Sequence, residues 1–367
     1  MKSIANKRLK AEAKKELLNT REFYLLRSML GYWWALFLAL LGGREAGKSY
    51  QVTRFFVGQW VKFHRPFYWL RLTEESKGKL LKNNAEKLID PDIKRYFNIE
   101  TVTNGDNVYV VTKRSKPNKD GKTKILQKEL LCRVMALSTF YNDKGSGLFD
   151  NEFLNNPLMY YNICLDEMNR EANERNSFDI VYAFVNQIEN LIRSTKKRVR
   201  IIMIGNTLEE ASDLLCAFNF IPEKFGRFKL KSKRAVIEYI EPSEAYLKRR
   251  KGTVADILLP QSSTFTNKIK TDDALVYKGR LRAPSYIIKF SKDESHNFVV
   301  WDDNVVCKYR NEQIKRTIAM RPYLDNTYIV EQVKNVYQIF DYRGFKFKDL
   351  ITFKEFQKEL SLLRPTR

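Results

Sequence analysis

Between Leu36 and Val52 the chain reads LFLALLGGREAGKSYQV. An uncharged apolar run breaks into two glycines and closes on Gly-Lys-Ser, so that residues 42 to 49 satisfy GxxxxGK[ST]. Few sequence features restrict a fold so tightly. The apolar run, YWWALFLALL, reads as a buried strand, and SYQVTRFFVGQWVKF after the motif reads as a helix. Glycines let the backbone curl until its N–H groups face a phosphate, and the helix that follows turns its positive end to the same anion. The expected ATP-binding residues are Gly42, Gly43, Arg44, Glu45, Ala46, Gly47, Lys48, Ser49 and Tyr50. Lys48 is placed to reach the β and γ phosphates, and the Ser49 hydroxyl to ligate Mg²⁺.

A site of this kind needs a second half, an apolar strand that ends in an acid. YYNICLDE provides it: Ile163, Cys164 and Leu165 run into Asp166 and Glu167. Two adjacent carboxylates suit two tasks, Asp166 holding the metal and Glu167 acting as general base toward the attacking water. Asn206 ends a further strand, VRIIMIGNT, and is a candidate contact to that water or to the γ phosphate. The same Gly-Asn pair also suits an ordinary turn.

The rest of the chain supplies a frame. FYWLRL at 67 to 72, MALSTFY, and RAVIEYI at 234 to 240 are short apolar runs, while FDIVYAFVNQIENLIRSTKKR places Ile180, Phe184, Ile188 and Leu191 on one helical face. VYVVTKRSKPNKDGKTKILQKEL reads as a basic hairpin around a Pro-Asn-Lys-Asp-Gly turn. Strands alternating with helices predict an α/β domain with a parallel sheet over residues 25–240. Residues 1–24 read as a basic N-terminal arm and 241–283 as a linker or small helical insert. SYIIKFSKDESHNFVVWDDNVVCKYR and the amphipathic DLITFKEFQKELSLL predict a small α+β domain over 284–367.

Composition bears on partners. Lys and Arg number 66 against 43 Asp and Glu, a formal charge of +23, which favours a polyanion; nucleic acid leads and an anionic membrane surface follows. Four cysteines without a CxxC pair, and two histidines, argue against zinc and fit a reducing cytoplasm. The longest uncharged stretch, Ser28 to Gly43, is shorter than the ~20 residues a membrane helix needs.

Taken together, LLGGREAGKSY, YYNICLDEMNRE and NLIRSTKKRVRIIMIGNT resemble the DNA-packaging ATPases of phi29-like small tailed phages. The resemblance covers residues 25 to 240, and 284 to 367 more loosely. It implies a P-loop NTPase of the additional-strand (ASCE) type using ATP and Mg²⁺, with a C-terminal RNase H-like domain that has lost nuclease activity. It further implies a double-stranded DNA translocase working as a homomeric ring, a pentamer by resemblance. That ring assembles at the capsid portal in the host cytoplasm, its C-terminal domain docking to the portal or a structural RNA; it is not in the mature virion and involves no membrane. Arg193 matches the family's trans-acting finger, Lys144 is a second trans candidate, and Arg44 matches the P-loop arginine. Of the C-terminal acids Asp293, Glu294, Asp302, Asp303 and Asp341, no constellation is visible in the sequence. The long basic arm and the long hairpin at 108 to 130 depart from the family pattern.

Phosphate contacts that ignore base identity suit a translocase. Candidates are Lys113, Arg114, Lys116, Lys119, Lys122 and Lys124 in the hairpin, and Arg227, Lys229 and Lys231 further on. Lys248, Arg249, Arg250 and Lys251 remain open to DNA, RNA or a neighbouring subunit. Rival readings are another ring-forming nucleic-acid ATPase such as a helicase, or a nucleotide-switched binding module with negligible turnover.

Overall fold

The computed structural model describes residues 21–117, 123–144, 160–169, 178–192, 198–206, 212–258, 260, 275–324 and 328–363. These fall into two compact units, one within Met1–Leu208 and Pro222–Ile269, the other within Glu209–Ile221 and Lys270–Arg367.

The first unit is built on a nine-stranded sheet. Its strands are β1 (Phe37–Gly42), β2 (Phe67–Arg71), β3 (Thr101–Asn104), β4 (Asn107–Arg114), β5 (Ile125–Ala136), β6 (Tyr160–Asp166), β7 (Arg198–Asn206), β8 (Gly226–Leu230) and β9 (Ala235–Tyr239). They lie in the order β3-β4-β5-β2-β6-β7-β1-β9-β8. The inner run from β5 to β9 is parallel throughout. Antiparallel partners close both edges, β3 with β4 on one side and β8 on the other. Strands buried on both faces read as continuous apolar runs, which is why LFLALL, FYWL and RIIMI carry no alternation.

Helix α1 (Lys48–Phe63) follows β1 directly. It buries Val52, Phe56, Val57 and Trp60, an i, i+4 pattern that forms one apolar stripe. The Phe56 ring sits 5.2 Å from Phe67 and edge-on to Trp69 at 6.3 Å, locking α1 against β2. Burial of such a ring contributes about 2–3 kcal/mol. Helices α2 (Glu74–Ala85) and α3 (Pro91–Phe97) follow β2, and α4 (Ile180–Ile192) buries Ile180, Phe184, Ile188 and Leu191 as its spacing predicts.

One segment differs from its sequence expectation. ILQKEL and the MA of MALSTFY do not form separate segments; they belong to the single twelve-residue strand β5, and Leu137 opens a 3₁₀ turn. Its outer half pairs antiparallel with β4, and its inner half, Cys132 to Ala136, pairs in parallel with β2. Insertion between two partners holds the chain extended across the expected break.

The second unit contains α5 (Asp213–Ala217) and a five-stranded sheet of β10 (Pro284–Lys289), β11 (Phe298–Trp301), β12 (Val305–Lys308), β13 (Thr317–Ala319) and β14 (Lys346–Phe347). Its order is β13-β10-β11-β12-β14. The segment from SYIIKF to CKYR forms three antiparallel strands, β10 to β12. Helices α8 (Val330–Asp341) and α9 (Leu350–Leu363) cover it, with Phe356 of α9 packed among Phe290, Phe298, Phe345 and Phe347. Between the sheets in sequence, α6 (Glu244–Arg250) and α7 (Val254–Leu258) occupy part of the expected linker. Among the described residues no helix is long and apolar enough to cross a membrane.

Candidate nucleotide-binding site

Parallel pairing brings the C-terminal ends of β1, β2, β6 and β7 to one edge of the sheet. Gly42 aligns with Asn206, Asp166 with Ile204, and Leu70 with Leu165, so all four strands end at the same edge, where Asp166 and Asn206 line a crevice. Crevices outside the carboxyl ends of parallel strands are where open α/β sheets bind ligands. Strand β7 lies between β1 and β6, so the glycine loop and the acidic pair face each other across one intervening strand.

The crevice encloses about 410 Å³ and is lined by Arg44 to Tyr50, Asp166, Glu167, Ile204 and Asn206. The loop turns through left-handed backbone at Glu45 (φ 62°) and Gly47 (φ 80°) before Lys48 opens α1. A side chain at Gly47 is disfavoured twice, by its φ and because a Cβ there crowds Phe23 Cδ1 at 3.2 Å. Lys48 is buried, and its ammonium donates to the carbonyls of Gly42 at 2.8 Å and Gly43 at 2.6 Å. Desolvation pushes its pKa down from 10.5 to about 8 against the opposing pull of Asp166. The Ser49 hydroxyl donates to Asp166 Oδ1 at 3.1 Å.

Glu167 follows β6 in a left-handed conformation (φ 59°) that carries a cost of about 1–3 kcal/mol in a non-glycine residue. The loop after it is tied to β7: Met168 N–H donates to the Ile204 carbonyl at 2.9 Å, and Asn169 Nδ2 donates to the Asn206 carbonyl at 3.0 Å. Gly205 makes that approach possible. A Cβ there meets Leu41 and Met168 side-chain carbons at 3.0 Å.

One residue central to this arrangement is absent from the sequence expectations. Arg71, the last residue of β2, is buried and forks between the acids, with Nη1 donating to Asp166 Oδ2 at 2.9 Å and Nη2 lying 3.0 Å from Glu167 Oε2. A planar guanidinium can serve two carboxylates at once. The available signal was a lone charge closing the apolar run FYWLRL, since a buried strand tolerates a charge only when it is paired.

The structure thus brings Arg44 to Tyr50, Asp166, Glu167 and Asn206 together, while Gly42 and Gly43 do not line the crevice and accept from the Lys48 ammonium. Lys144 is exposed at the end of a 3₁₀ turn (Leu137–Asp143) and does not line the crevice. Arg193, Lys119 and Lys122 lie outside the described residues, as do residues 1–20 of the basic arm. Lys113, Arg114, Lys116 and Lys124 are exposed around the hairpin, with Arg114 paired to Glu100 and bonded to Thr123. Arg227 is half-buried in a structural knot, donating to Glu238 at 2.6 Å and Ser28 at 2.7 Å. Lys229 and Lys231 are exposed.

The donor set fits the cofactors inferred from the sequence. A hydroxyl and a carboxylate oxygen converging at 3.1 Å, beside a second carboxylate, are hard oxygen ligands of the kind Mg²⁺ takes. In the second unit, Asp293 caps a turn through the Ser295 N–H and Asp302 accepts from the Ala283 N–H, and the side chain of Asp303 lies outside the described residues. Among the described residues no three His, Cys, Asp or Glu side chains converge as a metal site.

A parallel-rich α/β sheet with a glycine loop, a lysine, a hydroxyl and two acids at its carboxyl edge has the architecture of P-loop nucleotide-binding proteins. Over nearly its whole length the chain shares the fold of phage DNA-packaging motor proteins. It aligns with a chain of the bacteriophage Phi-29 viral genome packaging motor assembly at a TM-score of 0.62 and 18% identity, covering 94% of this chain and 100% of that one. It aligns with the Phi-28 gp11 DNA packaging motor at 0.60 and 15% identity, covering 94% and 99%. No protein-family model matches the sequence, and no curated protein does.

Proposed function

We propose that this chain is an ATPase of the additional-strand P-loop class that drives double-stranded DNA into a viral procapsid as a homomeric ring. The observation that carries the reading is the Ser49–Asp166 hydrogen bond, which joins the glycine loop to the acidic strand in the crevice that also holds Lys48 and Glu167. The placement of β7 between β1 and β6 supports the additional-strand class. The shared fold with two phage packaging motors supports the biological role, and a charge of +23 suits a polyanionic track.

On this reading the loop N–H groups and the N-terminus of α1 hold the phosphates, and Lys48 exchanges its two carbonyl partners for phosphate oxygens. Mg²⁺, held by Ser49 and Asp166, supplies charge neutralisation when bound. Glu167 takes a proton from water as the water oxygen bonds to the γ phosphorus and the bond from that phosphorus to the bridging oxygen of ADP breaks. Asn206 orients that water. Arg193 and Lys144 act from one subunit on the nucleotide of its neighbour, where a guanidinium stabilises charge spreading over the transferring phosphoryl group.

In the second unit, a three-stranded meander extended by parallel β13 and covered by helices supports an RNase H-like domain. Strand β10, PSYIIK, carries no carboxylate, which favours a vestigial role in docking to the portal or a structural RNA in the host cytoplasm.

Glu167→Gln tests the core of the proposal. The variant binds ATP as the parent does and loses hydrolysis; parental turnover in this variant rules out Glu167 as the base. Mixing Arg193→Ala with Glu167→Gln subunits restores some turnover if sites are completed in trans, and no rescue at any ratio counts against it. Strand displacement on duplex DNA separates a helicase from a packaging translocase.

A further inference from the structure

A P-loop receives an anion only while its N–H groups face inward, which obliges the carbonyls between them to face outward. Those outward oxygens need donors of their own. Three consecutive loop carbonyls each have one from outside the loop. The Tyr246 hydroxyl donates to the Arg44 carbonyl at 2.8 Å, and Arg250 Nη1 donates to that carbonyl at 3.1 Å and to the Tyr246 oxygen at 2.8 Å. Arg249 Nη2 donates to the Glu45 carbonyl at 2.8 Å. The Tyr24 N–H donates to the Ala46 carbonyl at 2.9 Å.

Two of these carbonyls are held from α6, some two hundred residues downstream of the loop. Tyr246 and Arg250 are 3% and 4% exposed, so their polar groups are fixed in place and do not sample water. Arg249 lies on the surface, but its guanidinium rests 4.5 Å above the Phe23 ring, the ring that also packs against Gly47. The residue most in need of restraint is Glu45, whose left-handed φ of 62° persists only where the surroundings over-determine it. Its carbonyl is the one that Arg249 holds. Two of the four basic residues at 248 to 251 therefore spend their guanidinium groups on the loop.

We infer that Tyr246, Arg249 and Arg250 are positioning residues for nucleotide binding. They hold the Arg44 and Glu45 carbonyls outward so that the loop presents its N–H groups to phosphate before a ligand arrives. None of the three touches the nucleotide in this scheme; each acts through the loop backbone. The inference rests on the nucleotide-binding reading of the crevice.

The double variant Tyr246→Phe/Arg249→Gln removes one donor from each carbonyl and leaves buried Arg250 in place. Its Kd for Mg·ADP rises about tenfold relative to the parent, the scale of losing such donors. Amide hydrogen exchange across residues 44 to 49 accelerates without nucleotide by more than any fall in the unfolding midpoint accounts for. Arg249→Lys, measured against Arg249→Gln, recovers part of the affinity. A Kd within about twofold of the parent overturns the inference, as does an affinity loss matched by a fall in unfolding midpoint with no local change in exchange. If the parent itself binds no Mg·ADP, the nucleotide-binding reading fails first; if the parent binds and the double variant binds equally well, only the role of α6 fails.

Discussion

The Ser49 hydroxyl donates to Asp166 Oδ1 at 3.1 Å although 117 residues separate them in sequence. This contact closes the metal half of the proposed site, so either partner limits cation use. Asp166→Asn and Ser49→Ala each raise the Mg²⁺ concentration for half-maximal ATP turnover by about tenfold or more. A magnesium titration at fixed ATP measures this, and an unshifted midpoint in both variants separates the pair from the metal.

Arg71 balances two acids at the end of β6, and Asp166 beside it is equally buried. Arg71→Ala removes the guanidinium that pairs with buried Asp166 and lowers unfolding stability by about 3 kcal/mol. Arg71→Ala/Asp166→Asn recovers part of the loss, because the excess charge is gone. Denaturant unfolding followed by tryptophan fluorescence gives both values; strict additivity of the two single changes shows that the pair is not coupled.

Gly205 sits where the loop after Glu167 crosses β7, and a Cβ there comes within 3.0 Å of Leu41 Cδ2 and Met168 Cγ. Gly205→Ala costs about 1–3 kcal/mol of overpacking. The displaced Met168 and Asn169 carry Glu167 with them, so turnover at saturating ATP falls more than KM rises. Steady-state kinetics decide it, and an unchanged turnover number uncouples this crossing from the base.

Lys48 gives a pH dependence of definite sign. In the fold its ammonium loses its proton near pH 8, while in the unfolded chain it keeps the proton to about its ordinary value of 10.5. Between these values the unfolded state binds more protons, so stability rises with pH across that window, and the desolvation penalty is present in full below pH 8. The parent therefore gains on Lys48→Met by a few kcal/mol from pH 8 to 10.5. Unfolding midpoints of both proteins at several pH values test this; a constant difference between them contradicts it.

Local patterns were legible because local physics makes them. The loop from Gly42 to Ser49 is contiguous, YYNICLDE shows its strand and its acids together, and the stripe from Ile180 to Leu191 follows from helical period alone. The continuity of strand β5 through its middle is not legible locally, because pairing with β4 on one half and β2 on the other is a property of the sheet. Residues 212–221 fall within the second unit, although they lie between strands of the first in sequence.

By itself the sequence determined which side chains can handle a phosphate and a metal, since glycine, lysine, hydroxyl and paired acids carry that chemistry wherever they stand. Only the tertiary structure decided what supports them. Arg71 reaches Asp166 and Glu167, and Tyr246, Arg249 and Arg250 reach the carbonyls of Arg44 and Glu45, across spans in which no periodicity or spacing survives. The physical reason is that a buried carboxylate or an outward carbonyl demands a partner without specifying where in the chain it comes from, and the packing of the sheet makes that choice.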